Sequence, residues 1–268
     1  MKDVQSQSDD RGIPLDQVGV TGLRHPIVVL DKAHQRQQTI ADITMSVSLP
    51  HHFKGTHMSR FLEVLNEHHG EVTMRTLPTI LKRMRERLDA ESARIELKFP
   101  YFLERQAPVS KATGLMDYEC MFMGDMKGDA FDFTIGVKVP VTSLCPCSKE
   151  ISDYGAHNQR GIITIEVKSN PDEQGHPHLI WFEELIEVAE ASGSSPVYPL
   201  LKREDERHVT MQAYDTPVFV EDMARNVAGQ LHANSHVAWF RVHVENFESI
   251  HNHSAFAQLT ASSFSRVR

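Results

Sequence analysis

Cys145-Pro146-Cys147 places two thiols one residue apart, and His157 follows Cys145 by twelve positions inside the polar loop DYGAHNQRG. Thiolate and imidazole are both zinc ligands, and a catalytic zinc centre takes three protein ligands and keeps one position open. Pro146 biases Cys145 toward extended backbone angles. In an extended tripeptide, side chains two apart point the same way, so both sulfurs would face one cavity. The competing reading is a pair of structural thiols, because free cysteine packs as a small hydrophobe. The third ligand has to be His, Cys or a carboxylate, and LKREDERHVT offers Glu204, Asp205, Glu206 and His208. Composition does not choose among these four, and the segment also reads as a solvated charge run. Glu221-Asp222 begins an expected helix, where acids complement the helix dipole. ENFESIHNHSAF carries His251 and His253, of the type whose ordinary pKa suits proton transfer near neutrality. With 16 histidines in the chain, most are structural or solvated.

These residues need elements to hold them. Ile43, Met45, Val47 and Leu49 alternate with polar residues, the period-two signature of a half-buried strand. Residues 58–67 and 77–88 show helical spacing, with Ile80, Met84 and Leu88 on one face of the second. Strand patterns follow over 93–99, 117–123 and 131–139. Residues 145–161 read as a turn-rich segment. Beyond it come a strand over 161–167, helices over 179–189 and 217–231, and strands over 236–244 and 254–261. Pro217 would occupy the first turn of its helix, capped by Asp215 or Thr216. Each half therefore reads strand, helix, helix, strands, with a boundary near 143–160.

Composition narrows the class of protein. The net charge is −8 and the pI about 6.0, which argues against sequence-independent nucleic-acid binding but leaves room for a local basic pocket around a phosphate. No stretch approaches the roughly 20 apolar residues of a membrane helix. MKDVQSQSDDRG has no apolar core of a secretory signal, so residues 1–25 are expected to be a mobile tail and the protein cytoplasmic. Three cysteines, Cys120, Cys145 and Cys147, are too few for a disulfide scaffold.

PVTSLCPCSKEISDYGAHNQRG closely resembles the signature of the type IB GTP cyclohydrolases. PVYPLLKREDERHVT, AYDTPVFVEDMARNVA and ENFESIHNHSAFA look like three further blocks of that family, in the same order, and the four span most of residues 140–256. The resemblance implies an α+β tunnelling fold of two tandem ββααββ-type units, 26–150 and 151–268, with helices on one face of antiparallel sheets. It implies a homotetramer with active sites at subunit interfaces. It implies conversion of GTP and water into 7,8-dihydroneopterin triphosphate and formate, feeding tetrahydrofolate and queuosine synthesis. Carried over by motif, Cys145, His157 and Glu206 would hold a divalent metal (Zn²⁺, Mn²⁺ or Fe²⁺), and Cys147 would lie beside them. Glu221 would anchor guanine, and His251 would move protons. Lys149, Arg160, Lys202, Arg203 and Arg207 flank the blocks and are candidates for the triphosphate. Met211 stands where the family often has Glu, and no role attaches to it.

Two other readings use the same residues. A tunnelling-fold nitrile reductase would use Cys145 or Cys147 as a covalent nucleophile with NADPH, but its ESKSLK-like motif is absent from the chain. A non-enzymatic metal protein would close its site with four protein ligands. A cyclic phosphate product is a variant of the same ring-opening chemistry.

Overall fold

Alternating burial dominates the first strands. In the computed structural model, which describes residues 5, 7–68, 72–173 and 177–262, β1 (Leu15–Asp31) and β2 (Gln35–Leu49) pair antiparallel from Leu15↔Leu49 to Asp31↔Gln35. Ala41, Ile43, Met45, Val47 and Leu49 are buried, with polar or exposed positions between most of them. Two helices follow, α1 (Ser59–Glu67) and α2 (Leu77–Leu88), and α2 buries Leu77, Ile80, Leu81, Met84 and Leu88 along one side. Then come three long strands, β3 (Ser92–Gln106), β4 (Thr113–Lys127) and β5 (Ala130–Leu144). The rest of the chain is α3 (Pro146–Ile151), β6 (Asn158–Ser169), α4 (Phe182–Glu190), β7 (Ser195–Pro196), α5 (Arg203–Asp215), α6 (Val220–Ala233), β8 (Val237–Asn246) and β9 (Ala255–Ser262).

The chain divides into two units, residues 1–100 with 121–134, and residues 101–120 with 135–268. In the first, β1 lies beside β2 and β2 beside β3. In the second, β5, β6, β8 and β9 are successive antiparallel neighbours, and the short β7 pairs with β5. The core of this second unit is built from Val137, Val139 and Val141 of β5, Ile163, Ile165 and Val167 of β6, Val242 and Val244 of β8, and Met223, Val227 and Leu231 of α6. No helix among the described residues is long and apolar enough to cross a membrane.

Four elements differ from the sequence-based expectation. β1 begins at Leu15, within the stretch expected to be a tail. Its pattern is broken by Gly19, Gly22 and Pro26, and the pairing shifts register between Val20 and Leu23, where Gly22 takes φ +69°. An edge strand tolerates both proline and such a bulge. A short helix, α3, stands where turns were expected. α5 occupies the supposed charge run, and its end takes in Asp215 and Thr216, so neither caps the next helix. α6 accordingly starts at Val220, three residues after Pro217, and Asp222 Oδ2 accepts from Phe219 N at 3.2 Å to cap it.

α5 is anchored by its one buried acid. Asp205 accepts from Lys202 N, Val109 N and Ser110 N, each at 2.8 Å, and from Ser110 Oγ at 2.5 Å. Burial pushes its carboxyl up, but the hydroxyl and backbone donors outweigh burial and hold it well below the usual carboxylate range. A depressed folded-state pKa stabilises above the unfolded value, about 3.9, and that contribution is lost as pH falls toward the folded value. Asp205→Asn is therefore expected to melt several degrees below wild type at neutral pH, with the gap closing below about pH 4. A gap in melting temperature that stays constant from pH 7 to pH 3 would show that the ionised carboxylate is not its source.

Candidate active site

The end of β5 gathers the site. Cys145 N donates to His157 O at 3.1 Å, and His157 N is 3.3 Å from Ser148 Oγ. These two bonds close the intervening loop and bring Cys145 and His157 side by side. Cys145 is extended (φ −69°, ψ 118°), as the following proline demands, and its Sγ accepts from Ser148 N at 3.4 Å to cap α3. Because Pro146 already starts the helix, the expected two-residue alternation stops there. Cys145 is half-buried; Cys147 is exposed on α3, so the two sulfurs do not share a cavity.

A cavity of about 330 Å³ opens beside Cys145 and His157, and Gln159, Glu221, Asn246, Glu248, His251 and His253 also line it. His157 Nδ1 lies 2.7 Å from Gln159 Oε1 and 3.9 Å from a Glu248 carboxylate oxygen. An amide oxygen only accepts, so this contact assigns the proton to Nδ1 and leaves the lone pair on Nε2. That is how metal-binding histidines are commonly oriented. The His251 and His253 rings stack at 4.9 Å. Of the two acids that begin α6, Asp222 caps the helix and lies 3.5 Å from Arg225, whereas Glu221 lines the cavity. Glu221 is exposed in this chain.

Other sequence candidates stand elsewhere. Glu206 is exposed on α5 and does not line the cavity. Its neighbour Asp205, with every donor contact already made, is not available as a ligand. Lys149 Nζ donates to Tyr214 O at 2.5 Å and lies 4.2 Å over the Tyr214 ring, tying α3 to the last turn of α5. Arg160 is exposed on the opposite face of β6 from buried Gln159. Lys202 and Arg203 are exposed at the start of α5. Among the described residues, no group of three His, Cys, Asp or Glu side chains is placed to hold a metal. The sulfur of Cys145 and Nε2 of His157 are donor types that a borderline-soft ion takes, two where such a centre needs three or more. Sequence reasoning missed Gln159 and Glu248. Gln159 carried a signal, being two residues past His157 at the start of a strand.

A model of the type I GTP cyclohydrolase FolE2 family matches residues 1–257. The chain belongs to that family. It is 54% identical over 259 residues to the GTP cyclohydrolase FolE2 of Syntrophotalea carbinolica, covering 97% of this chain and 94% of the relative. It is likewise 54% identical over 262 residues to that of Citrifermentans bemidjiense, covering 98% and 95%. Among solved structures it is similar to the uricase from Arthrobacter globiformis (TM-score 0.53, 9% identity, 94% of this chain and 96% of that one). It is also similar to a uricase from Bacillus fastidious (TM-score 0.55, 8% identity, 92% of each). At those identities the likeness concerns fold alone, a mixed α/β architecture on a mostly antiparallel sheet of the tunnelling type.

Proposed function

We propose that this protein is a GTP cyclohydrolase that opens the imidazole ring of guanine and releases formate, giving 7,8-dihydroneopterin triphosphate. One observation carries the reading. Cys145, His157, Glu221 and His251, drawn from three of the motif blocks, line a single cavity in a chain 54% identical to enzymes named GTP cyclohydrolase.

Cys145 and His157 would hold a divalent metal, with Glu206 delivered from a second copy of the chain as the third ligand. The metal, when bound, supplies Lewis-acid activation of water at neutral pH. The chain's own groups do the rest. Glu221 accepts from the two parallel donors of guanine, N1–H and the 2-amino group, a pair adenine lacks. His251 delivers a proton to the nitrogen that leaves C8. Gln159, with Glu248 nearby, occupies His157 Nδ1 and so leaves Nε2 as the nitrogen that would bind the metal. Lys202, Arg203 and Arg160, exposed in this chain, would meet the triphosphate from neighbouring copies. Lys149 would join them only by leaving Tyr214.

Assembly into a tetramer with shared sites fits the large apolar side chains left in the open around the site segments. Ile151 (84% exposed) and Tyr154 (100%) lie in the segment between Cys145 and His157, and Ile250 (64%) and Phe256 (69%) stand next to His251 and Ala255 in the chain. Within each chain the arrangement would be two tandem ββααββ-type units, and the compartment the cytoplasm.

Incubating protein loaded with Zn²⁺, Mn²⁺ or Fe²⁺ with GTP, with ATP as control, tests this. Formate and a pterin that fluoresces after oxidation are expected from GTP alone. Neither product with any of the three metals would overturn the assignment.

A further inference from the structure

Asn246 ends β8 and forms part of the cavity wall, yet it is only 3% exposed, and its Oδ1 has no donor among the described residues. Its Nδ2 donates to Ser143 Oγ at 2.9 Å, and the Ser143 hydroxyl donates to Val218 O at 3.2 Å. A hydroxyl has one hydrogen. With that hydrogen on Val218, Ser143 can only accept from Asn246, which fixes which way the amide points. Val218 N in turn donates to Leu144 O at 3.2 Å. Both backbone polar groups of Val218 are therefore held by the end of β5, three residues before Glu221.

This span crosses a strand. Gly161 of β6 lies opposite both Val141 of β5 and Asn246 of β8. A Cβ at Gly161 would stand 2.6 Å from Asn246 Oδ1. Glycine at that position lets the asparagine lie across β6 and reach Ser143. The arrangement accepts an unpartnered buried oxygen, which is costly, and what it secures is the approach to α6.

We propose that Asn246 is a positioning residue for substrate: through Ser143 and Val218 it sets the start of α6 and so the place of the Glu221 carboxylate in the cavity. The inference rests on the reading of Glu221 as the purine anchor. It does not involve Cys145 or His157, so its effects separate from those of metal binding.

The test compares Asn246→Ala, Ser143→Ala and Ser143→Thr in the full-length, metal-loaded protein, measuring KM and kcat for GTP and bound metal. Asn246→Ala and Ser143→Ala are each expected to raise KM on the order of 10-fold, with kcat within about threefold of wild type and metal content unchanged. Ser143→Thr, which keeps the hydroxyl, restores KM. In a Glu221→Gln background, Asn246→Ala raises KM no further, because the carboxylate it places is already gone. Multiplying KM penalties, or losses in kcat with KM unchanged, would overturn the proposal. If Asn246→Ala does not fold, Ser143→Ala decides by the same readouts, and an unchanged KM there is also fatal. Failure of the anchor reading shows separately, as a Glu221→Gln single variant with wild-type KM.

Discussion

Replacing Cys145 or His157 with Ala is expected to leave the protein folded, abolish the binding of a divalent metal and lower formate release from GTP at least about 10³-fold, the several kcal/mol that a Lewis acid supplies. Folding survives because the local structure hangs on backbone groups. The bond that joins the two positions runs from Cys145 N to His157 O, and both atoms remain in the variants. The Cys145 sulfur contributes only a long 3.4 Å contact from Ser148 N. Gln159→Leu should sit between these extremes. It keeps the His157 ring but releases its Nδ1, and a lost orienting partner typically costs 10–100-fold in metal affinity. Glu206 gives the sharper test. Glu206→Ala alone should lose metal as Cys145→Ala does. If Glu206 reaches the site from another copy, refolding the two inactive variants together restores complete sites by complementation, about a quarter of the total for random pairing. No recovery in the mixture, with both variants folded and assembled, would place Glu206 in the same chain's site or in none. Metal content by elemental analysis and formate release are the two measurements.

The reach of sequence reasoning varied with how local each signal was. β2, α2, β5 and β8 carry their burial in their own periodicity, so they were legible from one window of residues. β1 was not, because Gly19, Gly22 and Pro26 interrupt it and its partner strand is what permits them. α5 looked like a charge run because only Asp205 and Ala213 among its residues are buried. Its stability comes from the 107–112 turn that Asp205 grips, a contact about a hundred residues away in the chain. At the site, residue type and spacing made Cys145 and His157 candidates for one centre, and the family resemblance, not the spacing, joined them; the structure brings them side by side through the Cys145 N to His157 O bond. Glu248 was not legible, since a glutamate about ninety residues further along the chain does not stand out until the His157 ring has a direction, whereas Gln159 was marked only by lying two residues past His157 at the start of β6. Resemblance to the family marked Glu221 over Asp222, and the structure supplies a physical reason, namely that Asp222 is occupied as the cap of α6.

That separation of roles makes Glu221→Gln the most selective variant of the substrate site. The change preserves size and the position on α6, and it leaves the Asp222 cap in place. What it alters is one oxygen, from acceptor to donor. Against guanine N1–H and the 2-amino group, a carboxylate offers two acceptors and a charge-assisted pair. The amide offers one acceptor and sets an N–H against a donor, which forfeits one charge-assisted bond and opposes two donors across the contact. Together these are expected to lower kcat/KM for GTP by about 10²–10³-fold, or roughly 3–4 kcal/mol. The loss is expected mostly in KM, because Cys145, His157 and His251 are untouched. Discrimination against ATP should narrow in the same variant, since the selective interaction is the one removed. Asp222→Asn is the matching control. It weakens the cap, lowers the melting temperature and leaves the GTP-to-ATP ratio near wild type. If Asp222→Asn shifts nucleotide preference and Glu221→Gln does not, the carboxylate that reads the purine is the helix cap after all, and the cavity assignment of Glu221 is wrong.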